Sequence, residues 1–307
     1  MRTLFGLGGV SKDWPECTVS IGVFDGVHLG HQEVIGEACL DARENGRPCV
    51  VLTFDRHPLA LLNPEKCPRA LLPLDLRLAK IAGLGVDATV VASFDRPFAS
   101  QSPVQFFQDV LRGALKAGTV VVGHDFAFGK DRAGDARWLS ERIRTIVVEQ
   151  KEMSGRGVSS TEIRSLVAGG CVSEAAELLG SSYALAGLVV PGRRLGRDLN
   201  VPTINLVPII DQVIPGHGIY AGFAQTPCGR YKAAVSIGVR PTIEGAGFAI
   251  EAHLLDFGGA NLYGREVVLE VVERLRDEER FSSHEALAEQ MRRDIVDARR
   301  VLEAANA

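Results

Sequence analysis

Short apolar runs alternate with helical patterns through the first half of the chain. Runs such as CTVSIGVF, PCVVLTF and TVVVGHD are separated by segments such as LDLRLAKIAGLG, in which apolar residues recur at helical spacing. Buried parallel strands are continuous apolar runs joined by helices. Residues 17 to about 150 are therefore predicted to form a doubly wound α/β sheet, which binds ligands at the carboxyl ends of its strands.

A helical pattern closes this half, and two glycine-rich segments within it are poor phosphate loops. The segment STEIRSLVAGGCVSEAAELLG is predicted to be helical, with Gly180 as the helix stop. GLGG near the N-terminus follows no predicted strand, and GHDFAFGKD lacks Ser or Thr after Lys130. The sequence therefore contains neither a Rossmann fingerprint nor a P-loop.

Beyond Ser181 the pattern changes to strands without intervening helices. Apolar runs such as GIYAGFAQT, YKAAVSIGV and REVVLEVVERL are punctuated by Gly and Pro, which predicts a compact, mostly antiparallel barrel. A final helix is expected, with Ser282 and Glu285 as a capping box. Five apolar residues should form its packing face: Leu287, Met291, Ile295, Ala298 and Leu302. The predicted domains are residues 1–182 and 183–307.

Composition narrows the class of protein. The 307 residues carry a net charge of −4, with 46% hydrophobic and 23% charged residues, which is typical of a globular protein and offers no basic stripe for nucleic acid. No apolar stretch reaches the roughly 18 residues that span a membrane. The six cysteines show no metal spacing, so we expect reduced, mostly buried thiols in a cytoplasmic protein. The sequence leaves the oligomeric state open.

Two histidines follow an early strand in the segment IGVFDGVHLGHQ. His28 and His31 stand where a helix should begin, and backbone N–H groups at such a position favour anions. Gly26 and Gly30 would let a nucleotide approach the backbone. A lone histidine is more often a core or surface residue, but this strand-to-helix context favours imidazoles that bind a triphosphate and stabilise charge at phosphorus.

A second candidate phosphate site lies in GVSSTEIRSLV. Ser159, Ser160 and Thr161 open a helix and Arg164 lies one turn further on, so hydroxyls, N–H groups and a guanidinium could clamp a phosphate. SSTE alone is more often a helix cap. Its combination with the histidine pair favours the clamp.

In the second half, polar residues share one face of two strands. Thr203 and Asn205 are two positions apart in NVPTINL, so their oxygens could ligate Mg²⁺, although polar residues also occur at any barrel rim. Glu251 and His253 interrupt the apolar strand AIEAHLLDF. A carboxylate there could accept a hydroxyl proton during phosphoryl transfer. Arg193, Arg194 and Arg197 form a cationic approach, and no role is assigned to them.

The motifs of the first half, in order, resemble the adenylyltransferase module of the bifunctional prokaryotic riboflavin kinase/FAD synthetase family. They are GVFDGVHLGH, TFDRHP, VVGHDFAFGKDRAG and VSSTEIR. The resemblance implies a nucleotidyltransferase-type fold in which His28 and His31 stabilise the transition state. It implies ATP binding by Gly22, Phe24, Asp25, Gly30, Ser159, Ser160, Thr161 and Arg164. It also implies that His57, Pro58 and Asp125 lie around the flavin.

The second half resembles the riboflavin kinase module of the same family. The matching segments are GLVVPGRRLGRDLNVPTIN, GIY, GVRPT and EAHLLD. The resemblance implies that Thr203 and Asn205 bind Mg-ATP and that Glu251 is the base acting on the ribityl 5'-hydroxyl. Four positions depart from the family pattern: Arg56, His124, Asn200 and Ile204.

The function expected from this resemblance is two-step flavin cofactor synthesis. ATP and Mg²⁺ would convert riboflavin to FMN in the barrel, and a second ATP would convert FMN to FAD and pyrophosphate in the α/β domain. Three alternatives remain open. One module could be inactive, the histidine site could serve another nucleotidyltransferase reaction, or the chain could bind flavin without turnover.

Overall fold

The computed structural model describes residues 1–153, 155–192, 201–240 and 247–305. They fall into two compact units. The first contains Met1–Arg69 and Leu74–Ser159, and the second contains Ala70–Pro73 and Ser160–Ala307. The helices that follow Ser159 are thus counted with the second unit. The functional domains 1–182 and 183–307 stay a prediction.

The first unit is built on a parallel sheet. Its strands are β1 Arg2–Phe5, β2 Cys17–Ile21, β3 Cys49–Phe54, β4 Ala88–Ala92, β5 Ala117–Gly123, β6 Ala127–Phe128, β7 Gly134–Asp135, β8 Arg144–Val148, β9 Glu152–Met153 and β10 Arg156–Gly157. Its helices are α1 Leu29–Glu44, α2 Leu59–Leu62, α3 Leu74–Gly83, α4 Arg96–Ala99, α5 Pro103–Gln105 and α6 Ala136–Ser140. The six-stranded sheet has the order β1-β4-β3-β2-β5-β8, and β6 with β7 and β9 with β10 form separate ribbons. Helix α5 continues with π-type hydrogen bonding over Phe106–Ala114.

Both faces of this sheet are covered. Val19 and Val120 belong to one apolar cluster, with Leu111 from the π-helical segment. Val51 and Val121 belong to another, with residues of α1 such as Ile35. All residues of β2, β3 and β4 are buried, including the two hydroxyl residues of β2, as expected for parallel strands covered on both faces. The predicted doubly wound sheet is confirmed.

One strand of the sheet was not predicted from the sequence pattern. β1 pairs in parallel with β4, from Arg2 opposite Ala88 to Phe5 opposite Val91. GLGG therefore does follow a strand, and that part of the sequence interpretation is wrong. Only a 3₁₀ turn at Leu7–Gly9 comes next, so no long helix presents its N-terminus to a phosphate. β1 is a four-residue edge strand, mostly exposed, and is too short to show a period.

A buried carboxylate ties α1 to the sheet. Asp41 on α1 accepts hydrogen bonds from Thr18 Oγ1 at 2.7 Å and from Arg144 Nη2 at 3.0 Å. Burial by itself would raise the pKa of this carboxyl, but the hydrogen bonds from Thr18 and Arg144 outweigh it, so the pKa is lowered. The ionised form is thus favoured by folding.

We expect Asp41→Asn to lower the free energy of unfolding at pH 7 by about 1–3 kcal/mol, since a charged, buried hydrogen-bond network is lost. The folded pKa lies below the unfolded value of about 3.9. The stabilisation is therefore fully present above about pH 5 and is lost as the pH falls through the folded pKa. Urea unfolding from pH 7 to pH 3 should show the wild-type advantage shrinking. The exposed Asp109→Asn is the control, and an advantage constant with pH would contradict the role of Asp41.

Over its described residues, the second unit is a closed antiparallel barrel with three helices. Its strands are β11 Tyr183–Val190, β12 Ile204–Pro208, β13 Gly218–Thr226, β14 Gly229–Arg240, β15 Gly247–Leu254 and β16 Glu266–Arg276. Its helices are α7 Ser160–Ala168, α8 Val172–Leu179 and α9 His284–Ala304. The barrel order is β11-β12-β15-β14-β13-β16. The predicted barrel and C-terminal helix are confirmed.

Two details of the helices differ from the sequence prediction, and one agrees with it. The segment expected to be helical from Ser160 onward is two helices, since Gly170 adopts a φ of 81° between them. Gly180 ends α8 in the left-handed region, as predicted. Helix α9 is capped by Ser283, whose side chain accepts from Ala286 N–H at 3.1 Å. The predicted capping box starting at Ser282 is therefore wrong by one residue.

Three further predictions concern the cysteines, the apolar face of the C-terminal helix and membrane-spanning segments. All six cysteines are free, but only Cys17, Cys39 and Cys49 are buried, so the expectation of mostly buried thiols holds for half of them. Ala298 and Leu302 of α9 pack with Ala221 and Phe223 of β13, as the apolar stripe predicted. Within the described residues, no helix is long and apolar enough to cross a membrane.

Candidate functional site

A sharp turn carries the two histidines of the first unit. The chain leaves β2 at Ile21, forms a 3₁₀ turn over Asp25–Val27 and enters α1 at Leu29. Phe24 and Val27 have φ values of 52° and 48°, in the left-handed region that side chains disfavour. Backbone in this conformation is held by its surroundings and is found most often at functional sites. His28 is the first residue after the turn.

The two imidazoles are locked together. His28 is 5% exposed and is the N-cap of α1, where its Nδ1 accepts from His31 N–H at 3.3 Å. The two rings stack with centroids 3.5 Å apart and 19° between planes. Phe24 meets the His31 ring edge-on at 5.3 Å. Because Nδ1 of His28 accepts, the neutral ring carries its proton on Nε2 and can donate from there.

Two of the predicted glycines lie close against these same side chains. A Cβ at Gly22 would lie 2.8 Å from the Phe24 ring, and a Cβ at Gly30 would lie 3.3 Å from the His28 ring. Packing within the turn therefore explains both glycines independently of a nucleotide. Asp25, the first residue of the turn, is buried.

Several predicted residues line one cleft of about 930 Å³. They are Gly22, Phe24, His31, His57, Pro58 and Asp125. The turns that carry them follow β2, β3 and β5, whose carboxyl ends meet at one edge of the sheet. His57 Nδ1 accepts from Leu59 N–H at 3.1 Å, which fixes the ring at the start of α2. The structure thus brings together residues that are about 100 positions apart in the chain.

The cleft also contains residues that the sequence reasoning missed. Its aromatic wall consists of Phe54, Phe94, Phe98, Phe106, Phe126 and Phe128, and its cations are Arg96, Lys130 and Arg132. The chain has 13 phenylalanines, so about half of them gather here. Flat apolar rings beside cations suit a ligand that is both aromatic and anionic. The phenylalanines come from separate segments, and only the DFAFGKDR stretch gave a local signal.

The SSTEIR residues open α7. Ser160 is the first residue of this helix, with Thr161 and Arg164 on its first turns. Ser159 is the last residue of the first unit, whereas the other three belong to the second. Their predicted joint action with the histidine pair stays a prediction.

The second unit has its own polar cluster on the barrel. Asn205 of β12 lies directly across from Glu251 of β15, and Ser236 of β14 flanks Glu251 on the other side. Thr203 Oγ1 donates to Glu251 Oε2 at 3.3 Å. Asn205 is 5% exposed. The hydroxyl, the amide and the carboxylate therefore share a face, as the alternation predicted.

His253 and Gly192 hold this cluster in place. His253 Nδ1 lies 2.8 Å from the Pro202 carbonyl oxygen, which can only accept, so the ring donates and fixes the backbone before Thr203. A Cβ at Gly192 would collide with the Asn205 side chain. Asn205 thus packs directly against the Gly192 backbone.

A cleft of about 240 Å³ lies beside Glu251. Thr203, Glu251 and His253 line one side of it, and Leu287, Met291 and Ile295 of α9 line the other. Part of the predicted packing stripe of α9 thus lines a cleft. Arg276 of β16 donates two hydrogen bonds, of 2.7 and 2.6 Å, to the carboxylate of Asp294 on α9. This pair connects α9 to β16.

The oxygen donors of this cluster fit a hard cation. Mg²⁺ takes few protein ligands when a nucleotide supplies phosphates, and Thr203, Asn205 and Glu251 all offer oxygen. No group of three or more His, Cys, Asp or Glu residues forms a metal cluster in the described part of the chain. Arg193, Arg194, Arg197 and Asn200 lie outside the described residues.

Comparisons with known proteins match both halves of the chain. A family model described as FAD synthetase matches residues 10–165, and one described as riboflavin kinase matches residues 179–302. A bifunctional riboflavin kinase/FMN adenylyltransferase of Pseudomonas fluorescens is 35% identical over 305 residues, covering 97% of both chains. The protein of that description from Escherichia coli (strain K12) is 35% identical over 309 residues, also covering 97% of both.

A solved structure supports the fold over the whole chain. It is a crystal structure described as a macrolide-efflux protein from Streptococcus pneumoniae, with a TM-score of 0.89 and 30% sequence identity. The match covers 97% of this chain and 99% of that one. The efflux description belongs to that protein alone. The likeness supports the fold of the sheet and the fold of the barrel, each taken by itself.

Proposed function

Because the chain belongs to the family of bifunctional riboflavin kinase/FMN adenylyltransferases, we propose that its two clefts are the sites of the two reactions of that family. The chain phosphorylates riboflavin to FMN with ATP and adenylylates FMN to FAD with release of pyrophosphate. One observation supports the assignment of each reaction to its cleft. The FAD synthetase match contains the histidine cleft, and the riboflavin kinase match contains the Glu251 cleft.

Adenylyl transfer is assigned to the cleft of the first unit. An oxygen of the FMN phosphate attacks the α-phosphorus of ATP, and pyrophosphate leaves. His28, through Nε2, and His31 donate to phosphate oxygens as charge builds on them. The phenylalanine wall receives the flavin ring, and His57, Pro58 and Asp125 border it. Ser159, Ser160, Thr161 and Arg164 are assigned to ATP, on the motif alone.

Phosphorylation of riboflavin is assigned to the barrel cleft. The carboxylate of Glu251 accepts the proton of the ribityl 5'-hydroxyl as that oxygen attacks the γ-phosphorus of ATP, and ADP leaves. The hydrogen bond from Thr203 orients the carboxylate. The apolar residues of α9 that face Glu251 provide a surface for the flavin ring. In-line positioning and charge neutralisation complete the catalysis, with no covalent enzyme intermediate.

Mg²⁺ is proposed as the cation of the kinase step, held by Thr203 and Asn205. When bound, it would neutralise charge on the phosphates of ATP. We expect Thr203→Val, which removes one oxygen at constant shape, to raise the Mg²⁺ concentration for half-maximal FMN formation on the order of 10-fold. Calorimetry of Mg²⁺-dependent ADP binding should show the same shift. Ser236→Ala removes a hydroxyl on the other flank of Glu251 and is the control. An unchanged Mg²⁺ requirement in Thr203→Val would contradict the assignment.

The overall proposal is tested by a time course with riboflavin, ATP and Mg²⁺, in which riboflavin, FMN and FAD are separated chromatographically. FMN should appear first and FAD should follow. Products that stop at FMN would refute the assignment of His28 and His31. If riboflavin stayed unchanged while added FMN became FAD, the roles of Thr203, Asn205 and Glu251 would be refuted. Flavin binding without ATP consumption would make the chain a binding module.

We also place the protein in the cytoplasm, where ATP is available and free cysteines persist.

A further inference from the structure

A buried arginine donates a hydrogen bond to the backbone of the segment of residues 23–28, which we call the histidine turn. Arg77 of α3 is 5% exposed. Its Nη1 donates to the Val23 carbonyl at 2.8 Å and its Nη2 donates to the Phe54 carbonyl at 2.5 Å. An arginine guanidinium presents its donors in a rigid fork. One planar group therefore bridges the two carbonyl groups.

The two carbonyls belong to neighbouring strands that lead into the adenylyl-transfer cleft. Val23 lies two residues beyond β2 and immediately before Phe24, and Phe54 is the last residue of β3. The chain continues from β2 to His28 and from β3 to His57. Arg77 thus connects the starting points of the two turns, one predicted to hold ATP and the other predicted to hold the flavin.

The histidine turn needs such an anchor. Phe24 and Val27 are both in the left-handed region, and strained backbone of this kind persists only where surrounding contacts hold it. Thr53 Oγ1 also donates to the Val23 carbonyl at 3.1 Å, and Gln32 Nε2 donates to the Val27 carbonyl at 2.9 Å. Helix α3 packs against the same turn. Arg77 donates to a carbonyl at the end of each strand, whereas Thr53 of β3 donates to the carbonyl that follows β2 alone.

Burying the charged guanidinium of Arg77 costs free energy, and the folded protein nevertheless buries it. Burial lowers the pKa of the guanidinium, while the carboxylates of Asp25 and Asp55 act in the opposite direction. Its Nε is buried and has no hydrogen-bond partner among the described residues. A side chain placed only for packing would not need to bury this donor. Both Nη groups are directed at the strand-end carbonyls instead.

We propose that Arg77 is a positioning residue of the adenylyl-transfer site, which holds the histidine turn and the His57 turn at a fixed separation. The inference rests on the adenylyl-transfer function proposed above. Transfer requires the FMN phosphate and the ATP α-phosphorus to be in line, and a misplacement of about 1 Å can cost up to 100-fold in rate. Arg77 acts through the backbone and touches neither substrate.

The test compares Arg77→Met with Arg144→Met. Arg144 also belongs to the first unit and donates to a buried carboxylate, Asp41. It stands at the start of β8, so its loss weakens the sheet at the opposite end from the cleft. Both variants, as full-length protein, are measured for kcat and KM of FAD formation from FMN, for FMN formation from riboflavin, and for thermal stability.

For Arg77→Met we expect kcat of FAD formation to fall on the order of 10-fold or more, with KM for ATP and FMN changed by less than about threefold. Arg144→Met should keep kcat at matched folded fraction, and FMN formation should be unchanged in both. If Arg77→Met does not fold, Arg77→Lys, which keeps the charge without the fork, decides by the same comparison.

Equal kcat values in the Arg77 and Arg144 variants would overturn the proposal, as would a raised KM with kcat unchanged. A parallel loss of both activities in Arg77→Met would show a general structural role and would also overturn it. Failure of the wild-type protein to make FAD from FMN would instead refute the proposed function. The two failures are thus distinguishable.

Discussion

His28→Asn should form FMN from riboflavin at the wild-type rate and form FAD on the order of 100-fold to 1000-fold more slowly, which is the cost of one lost transition-state donor. Asparagine is a favoured N-cap, so it can accept the His31 N–H as the imidazole does and keep α1 in place. The loss is therefore chemical. Initial rates with FMN as substrate measure it directly, and the rate with riboflavin in the same preparation measures the kinase step.

The cap and the imidazole are separated by two further variants. His28→Ala removes both and should abolish FAD formation, with an additional loss of stability of about 1 kcal/mol. Asp135→Ala removes the N-cap of α6, where the carboxylate accepts from Trp138 N–H at 2.7 Å, and should leave the rate of FAD formation unchanged. Full FAD synthesis by His28→Asn would show that the imidazole does not act on the phosphates.

Sequence periodicity predicted the elements whose burial is uniform. β2, β3 and β4 are buried along their length and β13 of the barrel along most of it, so both sheets were recognised from their apolar runs. The edge strand β1 was missed because four residues cannot show a period. The cap of α9 was displaced by one residue because Ser282 and Ser283 are adjacent, and the choice depends on backbone angles that a sequence does not display.

The candidate site was predictable where it follows strand ends. His31, His57 and Asp125 are local in sequence to three strands, and parallel strands bring their carboxyl ends together, so their shared cleft follows from the fold. Arg77 had no such signal. In LDLRLAKIAGLG it resembles an ordinary solvated arginine, and only its contacts with Val23 and Phe54 reveal its burial. The phenylalanine wall likewise depends on tertiary contacts between separate segments.

Glu251→Gln should lose FMN formation by roughly 100-fold to 10,000-fold, the usual contribution of a general base, and should still convert supplied FMN to FAD at the wild-type rate. Glutamine has the same size and can accept the hydrogen bond from Thr203, so the arrangement of Thr203, Asn205 and His253 is kept. What is removed is the ability to take a proton. Single-substrate rates with riboflavin and with FMN, measured on the same preparation, give both values.

Glu270→Gln is the matched control, because Glu270 is a carboxylate on the same barrel that pairs with the exposed Arg230 at 2.8 Å, away from the cleft residues. Both of its activities should equal those of the wild type.

The size of the loss of FMN formation in Glu251→Gln then indicates how early the ribityl 5'-hydroxyl loses its proton during phosphoryl transfer. In a loose phosphoryl-transfer transition state the attacking hydroxyl is barely bonded to phosphorus, so a late proton transfer needs little help from a base. A loss of less than about tenfold would therefore contradict the assignment of Glu251 as the base and would leave it the role of orienting the hydroxyl.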